Sequence, residues 1–419
     1  MRRHAGYAKS VVAAALVLLA VTAWCEEPDA TTVPLTYKST ALFASVFGRA
    51  PSTNASLYRD PPDKPAAEAV CFSHRPRYGS IRLGNGKDTS FLFLLDESSG
   101  TGTGYDVLYV DANNNEDLTD DPALQGQRRK DAEGFTFPTV ELAMPCGEET
   151  LPYHVTMHTD AVQPKEIAIE AAGYCEGTLS VGKAEFRIVL IDDNVNGLYA
   201  DARETGMARH YPPRGTDLFV VDVNGDGAVS LSEGNAAEVH TVGVHVALGG
   251  DWYTVTPAAD GRSLTFAQPA QECGSLLVKA EGFSGEISGP AGVVKVRGEE
   301  SVRLPAGQYE FLSSQFDARD EDGRPWRIAR IRAFSKKVFT IEPGRETAFA
   351  VGPPLEASIE VNQKTSTLFE FSLTITGVGA EEYSARDIQP VDGEDAAPAI
   401  YKVVSKKGDV IANGAFRYG

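Results

Sequence analysis

Cysteine, methionine and tryptophan are scarce in these 419 residues, at five, four and three. No two cysteines form a C-x-x-C pair, which removes zinc ribbons and thioredoxin-like chemistry. Basic side chains are in deficit, 39 Lys and Arg against 58 Asp and Glu, for a formal net charge of -19. That deficit argues against a nucleic-acid partner, because such binding draws its affinity from Lys and Arg neutralising phosphates. Anionic membrane surfaces are disfavoured on the same ground, and cations are the natural small partners. No G-x-S-x-G elbow, H-E-x-x-H helix, Walker loop or dinucleotide fingerprint is present. Amphipathic helical stretches are nearly absent. What remains, at 42% hydrophobic and 23% charged, is an ordinary globular composition, long enough for about two to four domains.

One apolar run stands out. Arg2, Arg3, His4 and Lys9 precede an uncharged stretch from Val11 to Ala23. A positive n-region before so short an h-region predicts a signal peptide over residues 1–25, shorter than the roughly 20 apolar residues that span a bilayer. Cleavage after Ala23 or after Cys25 both fit; a lipidated Cys25 fits less well, because Trp24 is a poor residue before a lipid-bearing cysteine. The mature chain is expected to be secreted, periplasmic or on the cell surface, with no integral membrane segment. Cys71, Cys146, Cys175 and Cys273 then remain, as disulfides in any of three connectivities or as free buried thiols.

The rest of the chain reads as mainly β. Residues Ala50 to Ala67 hold Pro51, Pro61, Pro62 and Pro65, so 26–69 reads as an N-terminal arm and proline-rich linker. Short β-rich runs bounded by Gly, Asn and Asp follow, such as Phe91 to Leu95, Val107 to Val110, Phe186 to Ile191, Leu218 to Val221 and Phe369 to Thr376. Within 70–271 a pattern recurs. Tyr78 to Leu83, then Phe91 and Leu95-Asp96, returns as Tyr174 to Leu179, Phe186 and Leu190 to Asp192. Tyr105 to Asp111 then corresponds to Thr216 to Asp222, each final aspartate opening an Asn/Asp-rich loop. Beyond it, 272–352 and 353–419 read as two small immunoglobulin-like or transthyretin-like β-sandwiches, divided at Pro353-Pro354.

The chemistry is concentrated in those loops. Calcium takes six to eight oxygen ligands, and a twelve-residue loop supplies them from fixed positions. In Asp222 to Glu233, side-chain oxygens come from Asp222, Asn224 and Asp226, and Gly227 provides the sharp turn. The carbonyl of Ala228, a water directed by Ser230 and both oxygens of Glu233 complete the shell. These twelve residues resemble the calcium loop of EF-hand and dockerin proteins. Two departures are Gly234, where the family has an apolar residue, and a strand, Asp217 to Val221, leading in where the family has a helix. A static site is expected instead of a sensor.

Two relatives of this loop are less regular. Asp192, Asn194 and Asn196 are followed by a well-placed Gly197, but Arg203 stands at position 12, leaving Asp201 as the replacement. Asp111, Asn113 and Asn115 precede Asp117, with Glu116 at the turn position and Pro122 at the twelfth, so a regular loop is not expected and Asp120 or Asp121 would close the shell. Asp96 and Asp193 would join them if one ion bridged loops. Plain hairpin turns are the competing reading of both.

Residues 75–266 also resemble a group of uncharacterised exported bacterial proteins, through Tyr78 to Gly84, Tyr105 to Asp121 and Asp192 to Glu233. The resemblance implies calcium loops on a β scaffold and brings no assigned activity. His154 and His158 are spaced to share one strand face near Asp160, His240 and His245 to face opposite sides of one strand, and Asp317, Asp320, Asp322 and Gly323 to form a solvated acidic hairpin. The 58 acids offer many carboxylate pairs for glycoside hydrolysis, and no spacing rule selects one. Two functions follow. One is a non-catalytic surface or adhesion-type protein holding structural calcium and binding a glycan or another surface protein. The other is an extracellular hydrolase or accessory module acting on polysaccharide.

Overall fold

A computed structural model of the chain describes residues 30–41, 43–62, 65–202, 215–231, 238–270, 272–319, 322–331, 338–365, 368–379, 381–383, 387–391 and 400–415. The signal segment and Cys25, as well as Arg203, Glu233, Gly234, Asp320 and the final Phe416 to Gly419, lie outside them. The fold is mainly β, with one short helix, α1 (Phe43–Phe47), among the described residues. The first nineteen strands, in chain order, begin with β1 (Ala30–Pro34), β2 (Thr36–Ser39), β3 (Ser52–Ser56), β4 (Arg77–Arg82), β5 (Ser90–Asp96) and β6 (Val107–Val110). Then come β7 (Leu124–Gln125), β8 (Gln127–Arg128), β9 (Phe135–Thr136), β10 (Val140–Cys146), β11 (Glu149–His158) and β12 (Glu166–Ala171). The last are β13 (Gly173–Val181), β14 (Ala184–Ile191), β15 (Leu218–Val221), β16 (Val239–Thr241), β17 (His245–Leu248), β18 (Asp251–Pro257) and β19 (Ser263–Ala267).

These strands make four sheets, ordered β4-β5-β6-β7, β16-β15-β14-β13-β2, β1-β19-β18-β17 and β3-β12-β11-β9-β8, with β10 beside β11. One contiguous apolar cluster from Val33 to Phe266 sits between them, with Phe91, Leu95, Leu108, Ile188 and Phe219 fully buried. The five runs read as strands are all strands, because uninterrupted branched and aromatic residues bounded by turn formers have few alternatives.

The N-terminal arm is a correction. Between its prolines, Ser52–Ser56 is strand β3 and pairs with β12; β1 and β2 pair with β19 and β13. Only Ala55 of β3 is buried, so this polar edge strand carries no hydrophobic signature. Val33, Leu35 and Ala55 belong to the common core, which makes the arm part of the first module. The four cysteines among the described residues, Cys71, Cys146, Cys175 and Cys273, are free thiols. Burial pushes Cys175 up to about 12 and Cys71 to about 11, which leaves both unreactive as nucleophiles near neutral pH.

A second core, from Leu276 to Tyr383, organises the following strands. The strand Ile388–Pro390 pairs with Pro325–Ile331, so segments 272–352 and 353–419 share a sheet across Pro353-Pro354. Among the described residues, no helix is long and apolar enough to cross a membrane.

The histidines also sort themselves. His154 and His158 share a face of β11, but His154 lies 3.2 Å from Glu141 and His158 lies 3.8 Å from Glu170. They meet different carboxylates. His240 and His245 were expected on one strand; the turn at Val242 to Val244 puts them on β16 and β17. The His240 ring stacks on Phe219 at 5.1 Å, its Nε2 is sealed from solvent without a partner, and burial pushes it down to about 4. A histidine held neutral contributes its full stability above the unfolded pKa near 6.5 and loses it as pH falls towards 4. Acidification from pH 7 to 4 should therefore cost up to about 3 kcal/mol through this residue. His240→Phe should flatten that limb of a melting-temperature profile; an unchanged slope would refute the assignment.

Candidate functional site

The three Asn/Asp loops lie at the ends of two three-stranded meanders that correspond strand for strand, β4-β5-β6 and β13-β14-β15. Val110 sits opposite Phe93, and Val221 sits opposite Ile188. Just beyond, Asp111 N donates to Leu92 O and Asp222 N to Arg187 O, the same bond in each meander. Asp111 and Asp222 thus begin their loops from equivalent points. The Asp192 loop leaves the other end, after β14.

All three loops fold around one hydrogen-bond ladder. In each, the first aspartate accepts backbone N–H groups from the following turn. Asp222 takes Gly225 N at 2.8 Å and Gly227 N at 2.9 Å. Asp192 takes Val195 N at 2.7 Å, Asn196 N at 3.3 Å and Gly197 N at 2.6 Å. Asp111 takes Asn115 N at 2.9 Å and Glu116 N at 2.8 Å. The third-position amides of Asn224, Asn194 and Asn113 accept from the fifth residue, Asp226, Asn196 and Asn115. Those in turn accept from Ala228, Leu198 and Asp117. Such side-chain-to-backbone bonds are what Asx residues offer in turns.

In the Asp111 loop Glu116 adopts φ 65 at the turn position and the first half of the ladder forms, while Pro122 still stands at the twelfth position. The Glu116 N–H donates to Asp111, and Asn114, at φ 58, reaches Asp88 O through its side-chain amide. Asp201 and Asp120, candidates for closing the two irregular loops, each meet two asparagine side chains. Asp201 accepts from the amides of Asn194 at 2.8 Å and Asn196 at 2.7 Å. Asp120 accepts from those of Asn113 at 3.3 Å and Asn115 at 2.9 Å. Asp117 instead turns to Thr119, accepting from its N and Oγ1. Asp121 accepts from Ala112 N through Oδ1, while its Oδ2 is sealed and unpartnered. Burial, then the charges of Asp111, Asp120 and Asp117, push Asp121 up to about 6. An orphaned carboxylate oxygen among like charges is the setting a divalent cation fits.

The Asp222 loop lies open at the surface. Gly225 and Gly227 take φ 71 and 74 with nothing near the place a Cβ would occupy. Arg187 Nη1 donates to Gly227 O at 2.8 Å and Nε to Glu176 at 3.0 Å, tying the loop to β13 and β14. After Ala228 and Ser230 the chain packs Val229 and Leu231 against Phe43 and Phe47 of α1, where an EF-hand would start its exit helix. Among the described residues, no three His, Cys, Asp or Glu side chains gather in a metal-holding group. Glu233 lies outside the described residues.

Asp96 and Asp193 do not reach towards a shared ion. Asp96 accepts from Phe72 N at 2.7 Å and Ser73 N at 2.9 Å; Asp193 pairs with Arg49 at 2.7 Å. Strand register reveals a carboxylate that the sequence pattern misaligned. Asp96 faces Val107 as Ile191 faces Leu218, so the counterpart of Asp192 is Glu97. Glu97 is fully buried and accepts from Ser73 Oγ, Thr101 N, Thr101 Oγ1, Thr103 N and Gly102 N. Burial pushes its carboxyl up, but the hydrogen bonds from Thr101, Ser73 and Gly102 outweigh it, and the carboxyl ends below its ordinary range. Asp106 and Asp217, one residue before β6 and β15, match in the same way. Asp106 accepts from Ser98 N and Oγ, and Asp217 accepts from Asp193 N and Asp201 N. Burial, then Asp192 and Asp201, push Asp217 up to about 8.

The chain matches no protein-family model, no curated protein and no solved structure.

Proposed function

We propose that this is an exported protein whose first module is stabilised by calcium and which acts by binding, not by catalysis. The observation that carries the reading is the shared ladder, which sets aspartate and asparagine oxygens at positions 1, 3 and 5 of three loops. Calcium, when bound, would supply the positive charge that these carboxylates lack. Asp222, Asn224, Asp226, the Ala228 carbonyl, Ser230 through water and Glu233 would hold it in the most regular loop. Asp192, Asn194, Asn196 and Asp201 would hold it in the second, and Asp111, Asn113 and Asn115 with Asp120 or Asp121 in the third, Asp117 being turned to Thr119. The matched meanders support an internal repeat, and the Val11 to Ala23 run supports export.

Each site filled at tenfold excess over its dissociation constant adds about 1.4 kcal/mol. That amounts to roughly 3–6 °C for a module of this size. Chelator should lower the melting temperature by at least that much, and Asp222→Ala with Glu233→Ala should remove one site's share. Superimposable curves with and without chelator would refute the proposal. Metal analysis after dialysis against trace calcium would count the sites.

A further inference from the structure

A cleft of about 540 Å3 opens beside the Asp192 loop, between two strands that each lie at a sheet edge, β3 and β4. The strand ends are clamped where Tyr58 and Tyr78 exchange backbone hydrogen bonds of 2.8 and 2.9 Å. Beyond that clamp β3 and β4 belong to different sheets, and the Asp192 loop also lines the cleft, fastened by Gly84 N to Asn196 O at 2.7 Å. Buried Ala55, Ile81 and Val195 form the floor. Val195 holds φ 58, which is strained for a β-branched residue, and its N–H is tied to Asp192.

The walls explain what this shape would take. One aromatic ring, Tyr58, lines the cleft and is 53% exposed. Around it stand planar hydrogen-bonding groups: the amide of Asn54, the carboxylate of Asp60 and the guanidinium of Arg82, while Asn196 lines the cleft with its own amide already held by Leu198 N and Asp201. A sugar ring presents C–H groups on its faces and hydroxyls round its edge. The first pack on an aromatic face, and the second, as adjacent pairs, suit planar two-point partners. Asp60 and Arg82 cancel in charge, and the chain as a whole is at -19, which disfavours an anionic glycan. We propose that this cleft binds a neutral oligosaccharide, with Tyr58 as its stacking platform. The inference rests on the binding role proposed above and not on calcium occupancy.

The test is an array of neutral, uronic-acid and sulfated oligosaccharides probed with the labelled full chain, followed by calorimetry with the strongest neutral oligosaccharide. Binding should favour the neutral class. Tyr58→Ala should weaken it about tenfold, while Tyr58→Phe, which keeps the ring, should stay within about threefold. Ser80→Trp, which fills the cleft from β4, should abolish it, with melting curves confirming that each variant folds. A blank array, a preference for anionic glycans, or equal binding by Tyr58→Ala overturns the proposal. So does an extended peptide pairing with the two strand edges and displacing the sugar. A chelator-sensitive melt beside a blank array overturns this inference alone, whereas array binding with a chelator-insensitive melt supports the cleft and removes only calcium.

Discussion

Asp192→Ala is expected to be the most damaging single substitution in the loops. Its carboxylate is fully buried and accepts three backbone N–H groups, together with the hydroxyl of fully buried Tyr153 at 2.7 Å. Burial pushes Asp192 up to about 6 against these bonds, so part of the loss is offset by removing a costly charge. A buried donor left without an acceptor costs about 1–3 kcal/mol, and three of them, since Asn196 N keeps Asn194 Oδ1, suggest a net loss of order 4–5 kcal/mol. At about 2–4 °C per kcal/mol, the melting temperature should fall by about 10–20 °C. Asp192→Asn, which keeps one acceptor oxygen, should fall less. Tyr153→Phe should cost little further in the Asp192→Ala background, since the hydroxyl has already lost its partner. Asp222→Ala is the contrast: it releases two N–H groups of an open glycine loop that water reaches. Equal losses at Asp192 and Asp222 would contradict this account.

Gly197→Ala should be the second large effect. The residue sits at φ 81, and a Cβ there would overlap Met144 Sδ and lie 3.0 Å from the backbone N of Gly84. Left-handed backbone costs a side chain about 1–2 kcal/mol, and overpacking adds about 1–3 kcal/mol. The equivalent Gly227→Ala meets open space and should carry only the first cost. Melting curves of the two variants make the comparison, and it fails if Gly227→Ala is the more damaging. Because Gly84 N also fastens Asn196, Gly197→Ala should disturb the oligosaccharide cleft as well, whereas Gly227→Ala should leave it unchanged.

Much of this architecture is legible in the amino-acid order, for physical reasons that also mark where it stops. Phe91 to Leu95 and Leu218 to Val221 declare themselves because continuous apolar runs flanked by turn residues have one economical solution. Ser52–Ser56 does not, since an edge strand of small polar residues between prolines resembles an irregular segment until β12 is seen beside it. The loops were readable at positions 1, 3 and 5, where residue type and spacing set the chemistry. The φ 65 of Glu116 is not legible, because side-chain preference weighs against it while its N–H donates to Asp111 across the turn. Glu97 was missed because its importance lies in collecting N–H groups from Thr101 to Thr103. The Gly-Thr alternation from Gly100 to Gly104 was the available signal. The spacing of His240 and His245 misled because a three-residue turn can hide between two β runs.

The pairing of β1 with β19 has a kinetic side. Thr32 and Thr265 bring their hydroxyls within 3.0 Å although 233 residues separate them along the chain. Closing so large a circuit comes late in folding, because its entropy is lost before any contact rewards it. A polypeptide emerging from the ribosome with its amino end first can set Val33 and Leu35 beside Gly177 of β13, but the backbone edge of β1 waits for β19 until nearly the whole module has been synthesised. For that interval the opening strand is an unpaired edge, open to capture by a chaperone or by a neighbouring chain.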